Sequence, residues 1–221
     1  MNQSRVSIAF FDLDRTLLSI NSATSWIRRE LRLGHISRWK ALKGGLWILL
    51  YHFGFVRMDR ALRDAVTSLR GIEEAPVVTR THDFWREEVL QTIRPGARRA
   101  IEAHRSRGDH LVLLTSSSHY MSALVLEELD LDDALCNTLE VAEGRFKGTL
   151  REPICFGEGK VAHARRMAER LGASLEDCSF YTDSFSDLPV LEVVGAPRIV
   201  HPDPRLARKA RRQGWPIIDW D

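Results

Sequence analysis

Residues 6–18 read VSIAFFDLDRTLL, a short run of small, β-branched and aromatic residues that stops at an aspartate. Uninterrupted runs of this length belong to strands buried on both faces, as in a parallel sheet. Asp12 therefore sits at the carboxyl end of its strand, which is where open parallel sheets bind their ligands. Asp14 follows one residue later, so a coiling backbone can aim both carboxylates into one pocket. One acid of such a pair can serve as nucleophile and the other as general acid and then base. An Asp pair after a strand is, taken alone, more often a turn or a helix cap, so the rest of the chain has to decide.

Two further apolar runs end in polar loops. Residues 110–114, HLVLL, lead into Thr115-Ser116-Ser117-Ser118, and residues 178–181 lead into Thr182-Asp183-Ser184-Phe185-Ser186-Asp187. Helical segments are expected from Pro95-Gly96 through Arg107, over 120–129 and over 159–171. Residues 135–139 and 145–150 read as short strands joined as a hairpin across Glu143-Gly144, and 199–200 and 217–218 as final edge strands. Strands alternating with helical crossovers give the fold class α/β, a Rossmann-like doubly wound parallel sheet. Between the first two strands, residues 21–88 turn helical, rich in Trp, Leu and Arg, with breaks at Gly34, Gly44, Gly45, Gly54 and Gly71. The expected division is a core of residues 1–17 and 94–221 with an inserted helical cap at 18–93.

This topology brings Asp12, Asp14, Asp183 and Asp187 to one sheet edge, where four carboxylates repel one another unless a cation sits among them. With no His or Cys at ligand spacing nearby, oxygen donors favour Mg²⁺ over zinc. Thr115 and its serine neighbours can cradle an anion with hydroxyl and backbone N–H groups at the start of the next helix. Lys160 adds a compact positive charge for the same anion. Separately, the Thr-Ser run is an ordinary N-cap and Lys160 an ordinary helix lysine; it is their joint placement that points to a site.

In order and spacing, FFDLDRTLL (10–18), LLTSSS (113–118), the lysine of GEGK (157–160) and YTDSFSDLP (181–189) resemble the four motifs of haloacid dehalogenase-type hydrolases. The long helical insertion after the first motif is similar to that of the phosphoserine-phosphatase-like subfamily. The resemblance implies that Asp12 attacks phosphorus and carries an aspartyl-phosphate, while Asp14 protonates the leaving alcohol and then activates water. It implies that Thr16 supports the loop, that Thr115 and the Ser116 backbone bind phosphate oxygens, and that Lys160 steadies phosphate and nucleophile. Mg²⁺ is implied on Asp12, the Asp14 main-chain carbonyl and Asp183, with Asp187 in support. Phosphoserine phosphatases hold their amino acid with a glutamate after the first motif and a cap arginine. Those positions fall on Asn21 and Ala65 here, with Arg63 close enough to substitute. Ser186 stands where many relatives have asparagine.

Composition narrows the remaining classes. Apolar residues at 44% and charged residues at 28% are those of a soluble globular chain. A net charge of +2, from 32 basic and 30 acidic residues, gives no global field for nucleic acid or membrane, and the basic stretch 205–212 reads as a solvated helix face. Three cysteines without metal or redox spacing, and an N-terminal run broken by acids before a signal core is complete, suggest reduced thiols and a cytoplasmic location. Residues 41–56, ALKGGLWILLYHFGFV, carry a lysine, a histidine and three glycines and fall short of the ~20 apolar residues of a spanning helix. Trp26, Trp39, Trp47 and Trp85 read as cap core, and His163 and His201 show no ligand pairing. GEGK lacks the glycine spacing and the following Ser or Thr of a P-loop. The reading is a Mg²⁺-dependent phosphatase of a small phosphomonoester such as histidinol phosphate or phosphoserine. It expects no nucleic acid and no membrane partner and leaves a homodimer open. Two alternatives stand beside it: a phospholipid-headgroup phosphatase docking through 41–56, and a non-catalytic phosphate binder on the same fold.

Overall fold

The apolar runs are strands, and their burial explains their composition. The computed structural model describes residues 6–36 and 58–221, so the segment 41–56, Trp39 and Trp47 lie outside the described residues. The main sheet comprises β1 (Ile8–Phe11), β2 (His110–Ser118), β3 (Asp133–Asn137), β6 (Ser179–Thr182), β7 (Ala196–Val200) and β8 (Ile217–Ile218). Their spatial order is β3-β2-β1-β6-β7-β8, every neighbouring pair parallel. Helices α1 (Ser22–Arg32), α2 (Met58–Thr67) and α3 (Glu74–Phe84) lie between β1 and β2. Then come α4 (Pro95–Arg105), α5 (His119–Leu129), α6 (Glu158–Leu171), the one-turn α7 (Leu188–Leu191) and α8 (Pro204–Gln213).

Period-two alternation along β1 sorts the helices onto two faces. Ala9 and Phe11 pack, with Leu111 and Leu113, against Ala97 and Ile101 of α4 and Met121 and Val125 of α5. Ile8 and Phe10 pack, with Val112, Leu114 and Phe180, against Val161 and Ala164 of α6 and Leu206 and Ala210 of α8. All four β1 side chains are fully buried. Burying Phe10 and Phe11 alone stabilises by about 2–3 kcal/mol each, so the level at which Asp12 leaves the sheet is fixed by core packing rather than by its own loop.

The structure differs from the sequence reading in three places. The Thr-Ser-Ser-Ser stretch is not a loop: β2 continues through it to Ser118, with a register shift against β3 between Leu114 and Ser118. Residues 135–139 are not one strand. They divide between β3, in the main sheet, and β4 (Leu139–Ala142), which pairs antiparallel with β5 (Arg145–Leu150) as a separate two-stranded unit. Its turn places Glu143 and Gly144 at φ 51° and 72°, the paired positive values of a tight hairpin turn. Finally, 196–200 is not an edge strand, since β8 covers it.

The described helices of the insertion are joined to a strand pair from outside it. Gly71 N donates to the Phe146 carbonyl (2.8 Å), Phe146 N to Ile72 (3.0 Å) and Glu74 N to Gly144 (2.9 Å), which sews the β4–β5 hairpin onto the α2–α3 connection. Val66, Leu150 and Ile154 form a small core beneath this seam. Where the chain leaves and re-enters the core, Ser19 N donates to the Thr92 carbonyl (2.8 Å) and Arg94 N to Leu17 (2.9 Å). The two crossings thus lie side by side, pairing Leu18 with Ile93.

Candidate active site

Strand register brings the polar residues together. Phe11 is level with Leu113 of β2 on one side and with Tyr181 of β6 on the other, so Asp12 and Asp183, just past the ends of their strands, and Thr115, inside β2, lie within a residue or two of one level. Asp12 N donates to the Tyr181 carbonyl (2.9 Å), and two wide backbone turns follow, Leu17 N to Asp12 (3.4 Å) and Leu18 N to Leu13 (3.0 Å). Within them Arg15 takes φ 59°, a left-handed conformation that costs a non-glycine residue energy. Asp14 Oδ1 accepts from Ser22 N (2.7 Å), the first residue of α1, so the positive end of that helix faces the carboxylate.

Lys160 enters from the start of α6 and is 2% exposed. Its Nζ donates to Asp12 Oδ1 (2.8 Å) and to Asp187 Oδ2 (2.9 Å). Two glycines shape this approach: Gly157 caps α6 at φ 51°, and a Cβ on Gly159 would stand 1.8 Å from the Ile154 carbonyl oxygen. The glycines of GEGK thus serve helix entry and close backbone packing. Asp187 Oδ2 also accepts from Thr182 Oγ1 (2.7 Å), while its Oδ1 is buried with no hydrogen-bond partner. Thr16 is fully buried and its Oγ1 is likewise unpartnered. Thr115 Oγ1 accepts from Ser117 N (3.1 Å), and the Ser116 carbonyl accepts from Asn137 Nδ2 (2.8 Å).

Electrostatics follow from burying several carboxylates around one ammonium. Burial pushes Asp12 up to about 7 even against Lys160, and Asp187 and Asp14 push the same way. Burial raises Asp183 to about 8, with Asp12 and Asp187 adding to it. Asp14 is raised by burial, partly offset by its bond to Ser22. Burial opposes the Lys160 charge, but Asp12 and Asp187 outweigh it and hold its pKa above that of an ordinary lysine. This is a region short of positive charge. With an orphaned carboxylate oxygen and oxygen-only donors, it fits a hard divalent cation.

Among the described residues, the place where three His, Cys, Asp or Glu ligand atoms come within 4.8 Å of one another lies elsewhere, at His201, Asp219 and Asp221. Sequence spacing hid that pairing because Asp219 and Asp221 follow the next strand. His201 Nε2 accepts from Trp220 N (3.1 Å), and Arg94 pairs with Asp221, so the cluster is already internally satisfied. At the Asp12 edge a cation would accordingly draw on two carboxylates, a main-chain oxygen and water, as magnesium commonly does.

Arg63 is not brought to this cluster. It lies on α2, 53% exposed and ion-paired to Glu152 (2.5 Å), lining a cavity of about 360 Å³ between α2 and the hairpin. Asn21 caps α1, its Oδ1 accepting from Thr24 N (2.9 Å) and Thr24 Oγ1 (2.7 Å). Three supporting residues escaped the sequence reading. Thr182 stands beside a quoted acid. Asn137 also accepts from Cys155 N (2.9 Å), and it sat inside what read as a continuous strand. Asp203 accepts from Phe185 N (2.6 Å) and its own N donates to the Asp183 carbonyl (2.9 Å), clasping the acidic loop. Its signal was the His-Pro-Asp-Pro stretch after an apolar run. The cysteines are unpaired thiols, and no helix among the described residues is long and apolar enough to cross a membrane.

A sequence model described as haloacid dehalogenase-like hydrolase matches residues 9–192. A Mycobacterium tuberculosis protein named Phosphoserine phosphatase SerB1 is 31% identical over 217 residues, spanning 96% of this chain and 70% of that protein. A Neisseria meningitidis protein named histidinol-phosphatase is 24% identical over 219 residues, spanning 97% of this chain and 99% of that one. A solved structure of a Bordetella pertussis protein of unknown function superposes with a TM-score of 0.89 at 25% identity, covering 99% of this chain and all of its own.

Proposed function

The chain belongs to the haloacid dehalogenase-like hydrolases, and from that premise we propose that it hydrolyses the phosphate ester of a small alcohol through a phosphoryl group carried on Asp12. The observation that carries this reading is the buried Asp12–Lys160–Asp187 arrangement at the carboxyl edge of the sheet. An ammonium 2.8 Å from Asp12 favours the ionised carboxylate that a nucleophile requires. Asp14, raised by burial, suits a group that must hold a proton before it gives one away.

In the first step an Asp12 oxygen bonds to phosphorus, the ester P–O bond breaks, and the departing alkoxide takes the Asp14 proton. In the second, water gives a proton to Asp14 and attacks phosphorus. The Asp12–phosphorus bond then breaks, restoring the carboxylate and releasing phosphate. Thr115 and the Ser116 backbone bind phosphate oxygens, and Lys160 holds the nucleophile in line. Asp12, Asp183 and the Asp14 carbonyl would hold Mg²⁺, with Asp187 behind them, and the ion would supply charge neutralisation for the phosphate. Helices α1 to α3 of the insertion would act as part of a cap over the site, excluding water from the first step.

The names of the relatives supply two candidate substrates, phosphoserine and histidinol phosphate. The unpaired thiols accord with a cytoplasmic location. Turnover of p-nitrophenyl phosphate tests the reaction class. Hydrolysis should appear with Mg²⁺, vanish on chelation and return when Mg²⁺ is restored. A protein inactive with Mg²⁺, or equally active after chelation, contradicts the reading.

A further inference from the structure

Asp14 is held by the segment that follows it. Ser22 N bonds its carboxylate, and Arg15 N donates to the Ile20 carbonyl (2.9 Å), closing residues 15–20 into a small loop. Beside this loop opens a cavity of about 240 Å³, walled by Arg15 and Arg28, by the hydroxyl-bearing Ser19, Thr24 and Ser25, and by Asn21. We propose that this cavity is the subsite for the alcohol half of the substrate, and that it takes an anionic group there, a carboxylate or a second phosphate. The proposal rests on the phosphatase reading, in which Asp14 protonates the departing alcohol.

Position is the first argument. An alcohol oxygen that receives its proton from Asp14 leaves on the Asp14 side of the phosphorus, and the stretch of chain that runs from Asp14 to its partner Ser22 supplies Arg15, Ser19, Ile20 and Asn21 of the cavity's wall. Charge is the second. No acid lines the cavity, whereas two guanidinium groups do. The other basic residues of α1 are paired, Arg29 with Glu87 and Glu88 and Arg32 with Glu88. Arg28 has no ion-pair partner among the described residues, and Arg15, which forms no ion pair there either, lies near enough to act on the Asp14 and Asp183 carboxylates from the cavity's edge. Chemistry is the third. The Asn21 side-chain oxygen is already committed to Thr24, so the one side-chain carbonyl in the wall is withdrawn from any ammonium ligand. The subsite therefore ranks anionic arms above neutral ones and neutral above cationic. That order favours hydroxy-acid phosphates over amino-alcohol phosphates such as histidinol phosphate.

The experiment uses alkyl phosphates of two to four carbons bearing a terminal carboxylate, phosphate, hydroxyl or amine. At the best chain length the native protein should show kcat/KM about tenfold higher for at least one anionic terminus than for the hydroxyl. Comparison of carboxylate with phosphate identifies the arm. Arg28→Gln, a change at an exposed position, should bring the anion-to-hydroxyl ratio to within about threefold of one, and Arg28→Glu should invert it toward the amine. The same ratios read as Kd by calorimetry on Asp12→Asn need no turnover. An inactive native protein thus sinks the hydrolase reading while the Kd ratios still decide the subsite. A hydroxyl compound preferred over both anions in Kd and kcat/KM, or an Arg28→Gln ratio equal to the native one, overturns the proposal.

Discussion

Lys160 is the residue on which the site's electrostatics turn. It is the one ammonium hydrogen-bonded to both Asp12 and Asp187, and all three are at least nine-tenths buried. Deleting one partner of such a set leaves charge buried without compensation, which costs about 3–5 kcal/mol. Lys160→Met should therefore lower the unfolding free energy of the metal-free protein, read from a urea titration, by that amount, with a lower midpoint, and abolish turnover. Lys160→Arg should restore little of either, because a planar guanidinium cannot occupy the position of a compact ammonium fully enclosed by its neighbours. An unchanged midpoint for Lys160→Met would mean that the buried carboxylates are neutral and need no counter-charge. Asp12, Asp14, Lys160, Asp183 and Asp187 were legible in the sequence because each follows a strand or opens a helix in a characteristic order. The surroundings of Arg63 were not legible, because its partner Glu152 stands 89 residues away in the chain. Thr182, Asn137 and Asp203 act through hydrogen bonds to loops rather than through a motif, and such contacts have no sequence period.

At the scale of elements, the approach of α6 to the Ile154 loop sets where Lys160 stands. A Cβ at Gly159 would meet the Ile154 carbonyl oxygen at 1.8 Å, a backbone atom that cannot rotate away. Gly159→Ala should cost about 1–3 kcal/mol in a denaturant titration, and the forced shift of α6 should reduce kcat by roughly tenfold or more. Glu158→Ala, one residue earlier and exposed, serves as the control and should alter kcat little. Equal effects at the two positions would refute the packing argument. The helices and buried strands could be read from apolar runs and their periodicity. The extension of β2 could not, because Thr-Ser-Ser-Ser has the composition of a turn. Nor could the split between β3 and β4, since Asn137-Thr138 gives no break signal. The union of the hairpin with the α2–α3 connection is a tertiary seam of backbone hydrogen bonds, invisible to local pattern.

For the whole molecule, α4 is tied to the sheet through His104, which is 4% exposed, pairs with Asp109 (2.6 Å) and reaches the Tyr181 hydroxyl (2.9 Å). Burial lowers the His104 pKa despite Asp109. Below the unfolded value of ~6.5 the unfolded chain therefore binds the proton more readily than the native one. The His104 contribution to stability should rise with pH through that window and be lost as pH falls below ~6.5, against the opposite contribution of Asp12 and Asp183, whose raised values make the native state hold protons that the unfolded chain has lost. His104→Gln should make the slope of urea midpoint against pH less positive than the native one, leaving the shares of His119 and His201, which burial also depresses, and the opposing shares of Asp12 and Asp183. A slope as steep as the native one would contradict this. The doubly wound architecture followed from the order of strands and crossovers, and the same architecture delivers residues 12, 115, 160 and 183 to one edge. The central claim is that Asp12 carries the phosphoryl group. The most direct test is acid quenching of Asp14→Asn during turnover of p-nitrophenyl phosphate, followed by peptide mass analysis. The account predicts one added phosphoryl group on the peptide containing Asp12, accumulating because water is no longer activated, and none in Asp12→Asn. Turnover by the native protein with no phosphorylated peptide in Asp14→Asn, or with the group on another residue, would contradict it.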